Sequence, residues 1–163
     1  MSIITTVSTA LALLGSALIA GVFFAFSSFV MKALARVPSH EGVAAMHSIN
    51  VAVLNRSFLG VFMGTTAISL VVAVLAIMAW SSPSAPYFLA GASLYVVGTF
   101  LVTGLGNVPL NDQLAAVSAT DPRAVAVWEH YLDRWTLLNT IRTVAAAAAA
   151  LMFTLGLIQG SGG

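Results

Sequence analysis

The sequence predicts an all-α membrane protein built as a bundle of four transmembrane helices. Of its 163 residues, 60% are hydrophobic and only 7% are charged, whereas a soluble domain carries about 25% charged residues. All charged residues and histidines fall in two segments, 32–56 and 112–142. The stretches outside these segments are long enough to cross a membrane, which takes about 20 apolar residues as a helix. Residues 1–163 are therefore interpreted as one membrane domain.

Four spanning helices are placed by hydropathy, at roughly Ile4–Val30, Ser57–Ala79, Tyr87–Leu105 and Asn139–Ile158. The first is too long for a signal-peptide core and lacks a basic start, so we expect it to be retained. Its Gly21 lies among small residues that would allow close packing against neighbouring helices.

The two charged segments are predicted to form amphipathic helices. Asp121 followed by Pro122 is typical of a helix start, and Ser39 and Asn107 are further candidate helix caps. Four spans place both segments on one membrane face, as a helical cap, and both termini on the other. All six Lys and Arg belong to these segments, so the positive-inside rule makes the capped face cytoplasmic and leaves the termini outside.

The chain also reads as two related halves, repeat 1 at about 1–80 and repeat 2 at about 86–158. The corresponding pairs are Gly21 with Gly98, His47 with His130, and Asn55 with Asn139. Their offset grows from 77 to 84 residues along the chain, as small loop insertions would produce. Two spans in each half predict an internal pseudo-twofold axis along the membrane normal. Chance similarity between apolar segments is the alternative.

One face of the last helix carries an unusual set of side chains. At 100° per residue, a stripe about 80° wide contains Trp128, Tyr131, Trp135, Asn139 and Arg142. An arginine inside a spanning helix is paired, reaches the interface or has a function. This aromatic–polar stripe is therefore either part of a ligand site or a packing feature.

Further aromatic and amide side chains gather at the same membrane level. Phe26 and Phe58 lie at the charged ends of their helices, and the asparagines there are Asn50, Asn55, Asn107, Asn111 and Asn139. Buried amides need hydrogen-bond partners, which backbone, other side chains or a ligand can supply. The set predicts a pocket for a planar, apolar ligand, with an interfacial aromatic belt as the alternative.

Other kinds of site find little or no support. His47 and His130 occupy matching positions, but two histidines are an incomplete ligand set for a metal. The chain has no cysteine, no phosphate-binding loop, no serine nucleophile motif and no basic patch for nucleic acid. Hydrolase, phosphotransferase and nucleic-acid-binding functions are therefore unsupported.

Three motifs resemble those of the anthrone oxygenase-like family of small membrane proteins. They are Met46-x-x-Ile49-Asn50-x-x-Val53-x-Asn55-x-x-Phe58, then Asn107-Val108-Pro109-Leu110-Asn111-x-x-Leu114, then Trp128-x-x-Tyr131-x-x-x-Trp135-x-x-x-Asn139-x-x-Arg142. The resemblance covers almost the whole chain. It implies an integral protein, here of a bacterial inner (plasma) membrane, in contact with lipid and with a hydrophobic aromatic small molecule.

The resemblance also implies an oxygenase that acts on an anthrone- or quinol-like substrate and needs no cofactor. Arg142, Asn139 and Asn55 are the candidates for stabilising an oxyanion. His47 and His130 do not belong to the family pattern, and either would act as the base only if it reaches the substrate. The substrate-binding candidates are Trp128, Trp135, Tyr131, Asn50, Asn107, Asn111, Phe26 and Phe58. A non-catalytic protein that binds a quinone, a lipid or a partner helix is the alternative, and homo-oligomers are compatible with either function.

Overall fold

The computed structural model describes residues 1–161, and all regular structure within them is helical. The helices are α1 (Ile3–Leu34), α2 (Ser39–Ala52), α3 (Arg56–Met78), α4 (Ala85–Ala115) and α5 (Ala124–Ser161). Of these, α1, α3, α4 and α5 are long and apolar enough to cross a membrane. The predicted all-α, four-span integral membrane protein is confirmed. Residues 162 and 163, which complete the predicted domain, lie outside the described residues.

The four spanning helices pack as a square in which each has two main neighbours. α1 packs against α3 and α5, and α4 packs against the same two helices. Gly15 faces Thr65 where α1 meets α3, and Gly98 faces Ala145 where α4 meets α5. A Cβ at Gly98 would lie 2.6 Å from that of Ala145, so this close approach needs glycine. Gly21 was predicted to face a helix, but it is exposed with no neighbour within 4 Å because the buried stripe of α1 runs through Gly15 instead.

Two predicted helix caps are wrong. Asn107 lies inside α4, which continues ten residues past the predicted end at Leu105. The helix continues because Pro109 stands in the first turn after a π-helical turn, where the change in hydrogen-bond pattern tolerates a residue without an N–H. Ser39 begins α2 without a capping hydrogen bond, and Pro38 occupies the cap position.

π-helical turns interrupt α1 and α4 near the capped face. They are Phe26–Val30 in α1, and Val96–Leu101 and Thr103–Asn107 in α4. The turns Phe26–Val30 and Thr103–Asn107 stand 77 residues apart, the interval that also separates Gly21 from Gly98. The internal repeat stays a prediction, which this shared irregularity supports. π turns often occur at functional sites.

The cap consists of α2 and the first turns of α5, which pack over the ends of the spanning helices. One buried cluster joins them: Met31, Val43, Met46, Leu110, Leu114, Trp128, Tyr131 and Trp135. Ahead of α5, Asp121 accepts a hydrogen bond of 2.8 Å from the backbone N–H of Arg123. The Arg123 guanidinium also bonds this carboxylate and holds the pKa of Asp121 at about 2. A second cluster fills the spanning half, and the candidate site lies where the two meet.

Candidate functional site

A cavity of about 570 Å³ lies between the spanning bundle and the cap, with all five helices in its wall. Its volume is within the range of small-molecule sites, roughly 300–1,000 Å³. Eight of the predicted site residues line it: Phe26, His47, Asn50, Phe58, Asn107, Asn111, Trp135 and Arg142. The remaining five are not part of the lining: Asn55, Trp128, His130, Tyr131 and Asn139.

Arg142 is a buried cation in the cavity wall, with only 4% of the residue exposed. One terminal nitrogen donates to Thr103 Oγ1 at 3.0 Å, and the other donates to Asn139 Oδ1 at 2.8 Å. Within residues 1–161 no carboxylate is paired with Arg142, and its Nε–H has no partner. A guanidinium has five N–H donors, so hydrogen-bonding capacity and positive charge remain for a ligand.

Aromatic rings, and not a carboxylate, lie against the Arg142 guanidinium. The guanidinium carbon of Arg142 lies 4.0 Å from the ring centroid of Phe23 and 5.3 Å from that of Trp135. Both distances are within the range of cation–π attraction. Beside them, Phe58 stacks on Phe62 with centroids 5.9 Å apart and ring planes 9° apart. The cavity therefore combines flat apolar walls with one buried cation.

Asn139 positions Arg142 without contacting the cavity. Its Nδ2 donates to the Phe23 carbonyl and to Ser27 Oγ, each at 2.7 Å, while its Oδ1 accepts the bond from Arg142. The residue is fully buried. Because both ends of the amide are engaged, Asn139 ties the guanidinium to α1 and is not free to bind a substrate.

Three polar residues of α4 at intervals of four face the cavity: Thr103, Asn107 and Asn111. Asn107 Nδ2 donates to the Trp135 carbonyl at 3.1 Å, and its buried Oδ1 has no partner within residues 1–161. Asn111 Oδ1 accepts from Tyr131 Oη and from Trp135 Nε1, both at 2.8 Å. These asparagines therefore fix α5 against α4 at the level of the cavity.

The three aromatic rings of the stripe form a continuous stack under α2. Ring centroids are 5.8 Å apart both between Trp128 and Tyr131 and between Tyr131 and Trp135. A Cβ at Gly42 would lie 2.7 Å from the Trp128 ring, so α2 closes tightly over this end of the stack. Only the Trp135 end reaches the cavity.

The two histidines have different surroundings. His47 is half-buried in the cavity wall, with Nε2 2.8 Å from the Leu114 carbonyl oxygen. Because a carbonyl only accepts, Nε2 carries the proton and Nδ1 of the neutral ring is an acceptor. His130 is exposed on α5. In the described part of the chain, no three or more His, Cys, Asp or Glu residues gather where they could hold a metal ion.

Asn55 acts as the N-cap of α3. Its Oδ1 accepts from the Phe58 N–H and its Nδ2 donates to the Ala52 carbonyl, both at 2.9 Å. The side chain is exposed at the corner between α2 and α3. Its matching residue in the predicted repeat, Asn139, is by contrast buried in mid-helix.

Comparison with known proteins identifies the family. The family model described as Anthrone oxygenase matches residues 55–152, more than half of the chain. The chain belongs to the anthrone oxygenase family. No curated protein and no solved structure gives a significant match.

The family match and the cavity overlap only in part. In this anthrone oxygenase family member, the matched segment contains α3, α4 and most of α5, including Thr103, Trp135 and Arg142. Phe26, His47 and other lining residues belong to α1 and α2, outside the match. The site is therefore completed by residues within 1–54, which the family model does not cover.

Three lining residues that matter to the site were not among the predicted site residues: Phe23, Phe62 and Thr103. Phe23 stacks on the Arg142 cation and Phe62 lies beside it, but neither is distinguishable in sequence from the other phenylalanines at these helix ends. The spacing of the sequence could have identified Thr103, because it precedes Asn107 and Asn111 at the same interval of four residues. That row predicts one polar face on α4.

Proposed function

We propose that this anthrone oxygenase family member uses dioxygen to oxidise a planar aromatic, anthrone- or quinol-like substrate in the cavity. The observation that carries the proposal is a buried arginine without a carboxylate partner in an aromatic-walled cavity. Such an arginine is suited to a flat ligand that develops negative charge on an oxygen.

The chemistry of an anthrone fits this environment. Loss of a proton from its methylene gives an aromatic phenolate, whose negative charge lies on the former carbonyl oxygen. The anion gives one electron to dioxygen, and the resulting radicals combine as a carbon–oxygen bond, which takes up the proton as a hydroperoxide. Cleavage of the oxygen–oxygen bond with loss of the remaining C–H proton then gives the quinone and one water. One substrate and one dioxygen are consumed for each quinone and water formed.

Arg142 is assigned to the developing oxyanion. Thr103 and Asn139 hold its two terminal nitrogens, so the donors are oriented before the charge forms. Preorganised donors in a site that excludes water stabilise a transition state most effectively. In this assignment Asn139 is a positioning residue.

His47 is the base that the geometry favours over His130. It lines the cavity, and its bond to the Leu114 carbonyl leaves Nδ1 unprotonated in the neutral ring. His130 is exposed and outside the lining. Trp135, Phe26 and Phe58 hold the flat ring system.

The test is oxygen consumption and quinone formation by purified protein in liposomes supplied with anthrone. We expect both rates to exceed the spontaneous background in a one-to-one ratio, and to fall to background in Arg142→Met. His47→Gln should lower the rate. A rate equal to background would refute oxygenation of this substrate. If the protein then binds added quinone without changing it, the non-catalytic binding protein is favoured. Loss of activity on adding a chelator would show that a metal takes part.

A further inference from the structure

We propose that the cavity opens sideways into the bilayer through a portal between α3 and α4, and that the substrate enters in its neutral form. The identity of the substrate rests on the proposed function, whereas the portal rests on the exposure, membrane depth and charge of the residues that line the cavity.

The exposed lining residues define the portal. Met63 of α3 and Val108 of α4 both line the cavity, yet they are 50% and 43% exposed. Val51 in the last turn of α2 and Leu54 just after that helix also line it and are exposed. These four are apolar, as are the exposed lining residues Val22 and Ala115 on other parts of the rim, and Asp112 is the one charged residue in the exposed part of the described lining.

The depth of these residues places the opening in the hydrocarbon region. Arg56 and Asp112 are exposed charged residues that mark the polar boundary on α3 and α4. At 1.5 Å per residue, Met63 lies about 10 Å deeper than Arg56, and Val108 lies about 6 Å deeper than Asp112. A molecule that passes between Met63 and Val108 therefore comes from the lipid.

The charge distribution selects the neutral form. Among the described lining residues, only Asp112 and Arg142 carry a formal charge. An anion approaching from water would meet the exposed carboxylate of Asp112 before the buried Arg142, and the apolar portal would exclude it. A neutral aromatic molecule dissolves in the bilayer, crosses the portal, and becomes an anion only beside His47 and Arg142.

A pair of matched double variants tests the portal. Met63→Phe with Val108→Phe narrows it. Leu70→Phe with Val97→Phe places the same side chains on the same helices at lipid-facing positions of 50% and 57% exposure that do not line the cavity. The first readout is quenching of Trp135 emission by a bromoalkane dissolved in the liposome bilayer, with the Trp135→Phe variant subtracted. We expect strong quenching in the natural chain and the Leu70/Val97 pair, and weak quenching in the Met63/Val108 pair. Equal quenching in both pairs, or stronger quenching by aqueous iodide, would overturn the portal.

A second readout separates this inference from the proposed function. Anthraquinone in the bilayer should bind the natural chain, its association should slow by about tenfold in the narrowed pair, and a water-soluble anthraquinone sulfonate should not bind. If bromoalkane quenching follows the expected pattern while anthraquinone fails to bind, the proposed function fails and the portal stands. If anthraquinone reaches both pairs at the same rate, or the sulfonate binds from water, the portal fails and the aromatic site stands.

Discussion

Several uncharged partners stabilise the Arg142 cation inside the bundle in place of a single carboxylate. Two ring faces, a threonine hydroxyl and an amide oxygen surround it. None of them carries a negative charge, so the positive charge is stabilised without being neutralised. This is the property that a site for an oxyanion requires.

Arg142→Lys tests the planar fork at constant charge. Lysine has one nitrogen and cannot reach Thr103 and Asn139 in the same geometry. We expect anthraquinone affinity of the folded protein to fall by about 10- to 100-fold, corresponding to the loss of one charged hydrogen bond, and the melting temperature to fall because Thr103 or Asn139 loses its bond from Arg142. Arg134→Lys, an exposed arginine of the same helix, is the control and should bind normally. Equal affinity of the two variants would contradict the role of the fork.

Asn139→Leu should destabilise the fold as well as abolish ligand binding. Leucine removes both amide ends, so one Arg142 N–H is left buried without its partner, and the Phe23 carbonyl keeps only its backbone hydrogen bond from Phe26. We expect a loss of about 2–4 kcal/mol in the free energy of unfolding, because buried polar groups lose their partners. Thermal unfolding in detergent measures it. A melting temperature equal to that of the natural chain would show that the described contacts do not hold Arg142.

Asn55→Ala separates helix capping from catalysis. Removal of an N-cap costs about 1 kcal/mol, so the melting temperature should fall slightly while the turnover of the folded protein is unchanged. Asn55→Ser should restore stability, since serine also caps. A loss of turnover in a variant that is still folded would return Asn55 to the catalytic set.

Sequence periodicity predicted which residues share a face, but not what each side chain contacts. It placed Asn139 and Arg142 on one stripe correctly, and eight predicted residues do line the cavity. It did not reveal that the side-chain amide of Asn139 donates a hydrogen bond to the Phe23 carbonyl, because that contact joins residues 116 positions apart. Phe23 itself became recognisable only when the packing brought its ring to Arg142.

At the scale of helices, glycines determine how closely α4 approaches α5. Gly98→Ala should push the two helices apart, since the new Cβ would meet Ala145 at 2.6 Å, and should cost about 1–3 kcal/mol. Gly104→Ala is the matched control on the same helix. Nothing lies within 4 Å of it, so alanine should be neutral or stabilise by up to about 1 kcal/mol. Similar melting temperatures for both variants would contradict the described α4–α5 contact.

The spans were predictable from hydropathy, whereas the π turns were not. An uninterrupted apolar run determines that a helix crosses the membrane, but it does not distinguish hydrogen bonds to the fourth residue from those to the fifth. The Asn107–Pro109 pattern is typical of a helix start, which explains why α4 was predicted to end early. This error did not remove Asn107 from the site, because its membrane level was right.

For the whole molecule, we propose that the cap faces the cytoplasm of a bacterial cell and that both termini lie outside. The natural chain has no cysteine, so Ser81→Cys and Ser118→Cys each create a unique thiol at an exposed position. In right-side-out vesicles an impermeant maleimide should label position 81 and not position 118. Labelling of both positions would contradict the four-span topology, and the reverse pattern would invert the orientation.

The two halves of the molecule differ in the continuity of the helices that carry the site. α5 runs unbroken for 38 residues, about 57 Å. One continuous helix therefore carries the turns that belong to the cap as well as Trp135 and Arg142. In the first half, the chain breaks at 53–55 between α2 and α3. α2, which carries His47 and Asn50, is joined to α3 through that break. The proposed base therefore stands on the interrupted part of the chain, whereas the proposed oxyanion donor Arg142 stands on the continuous helix.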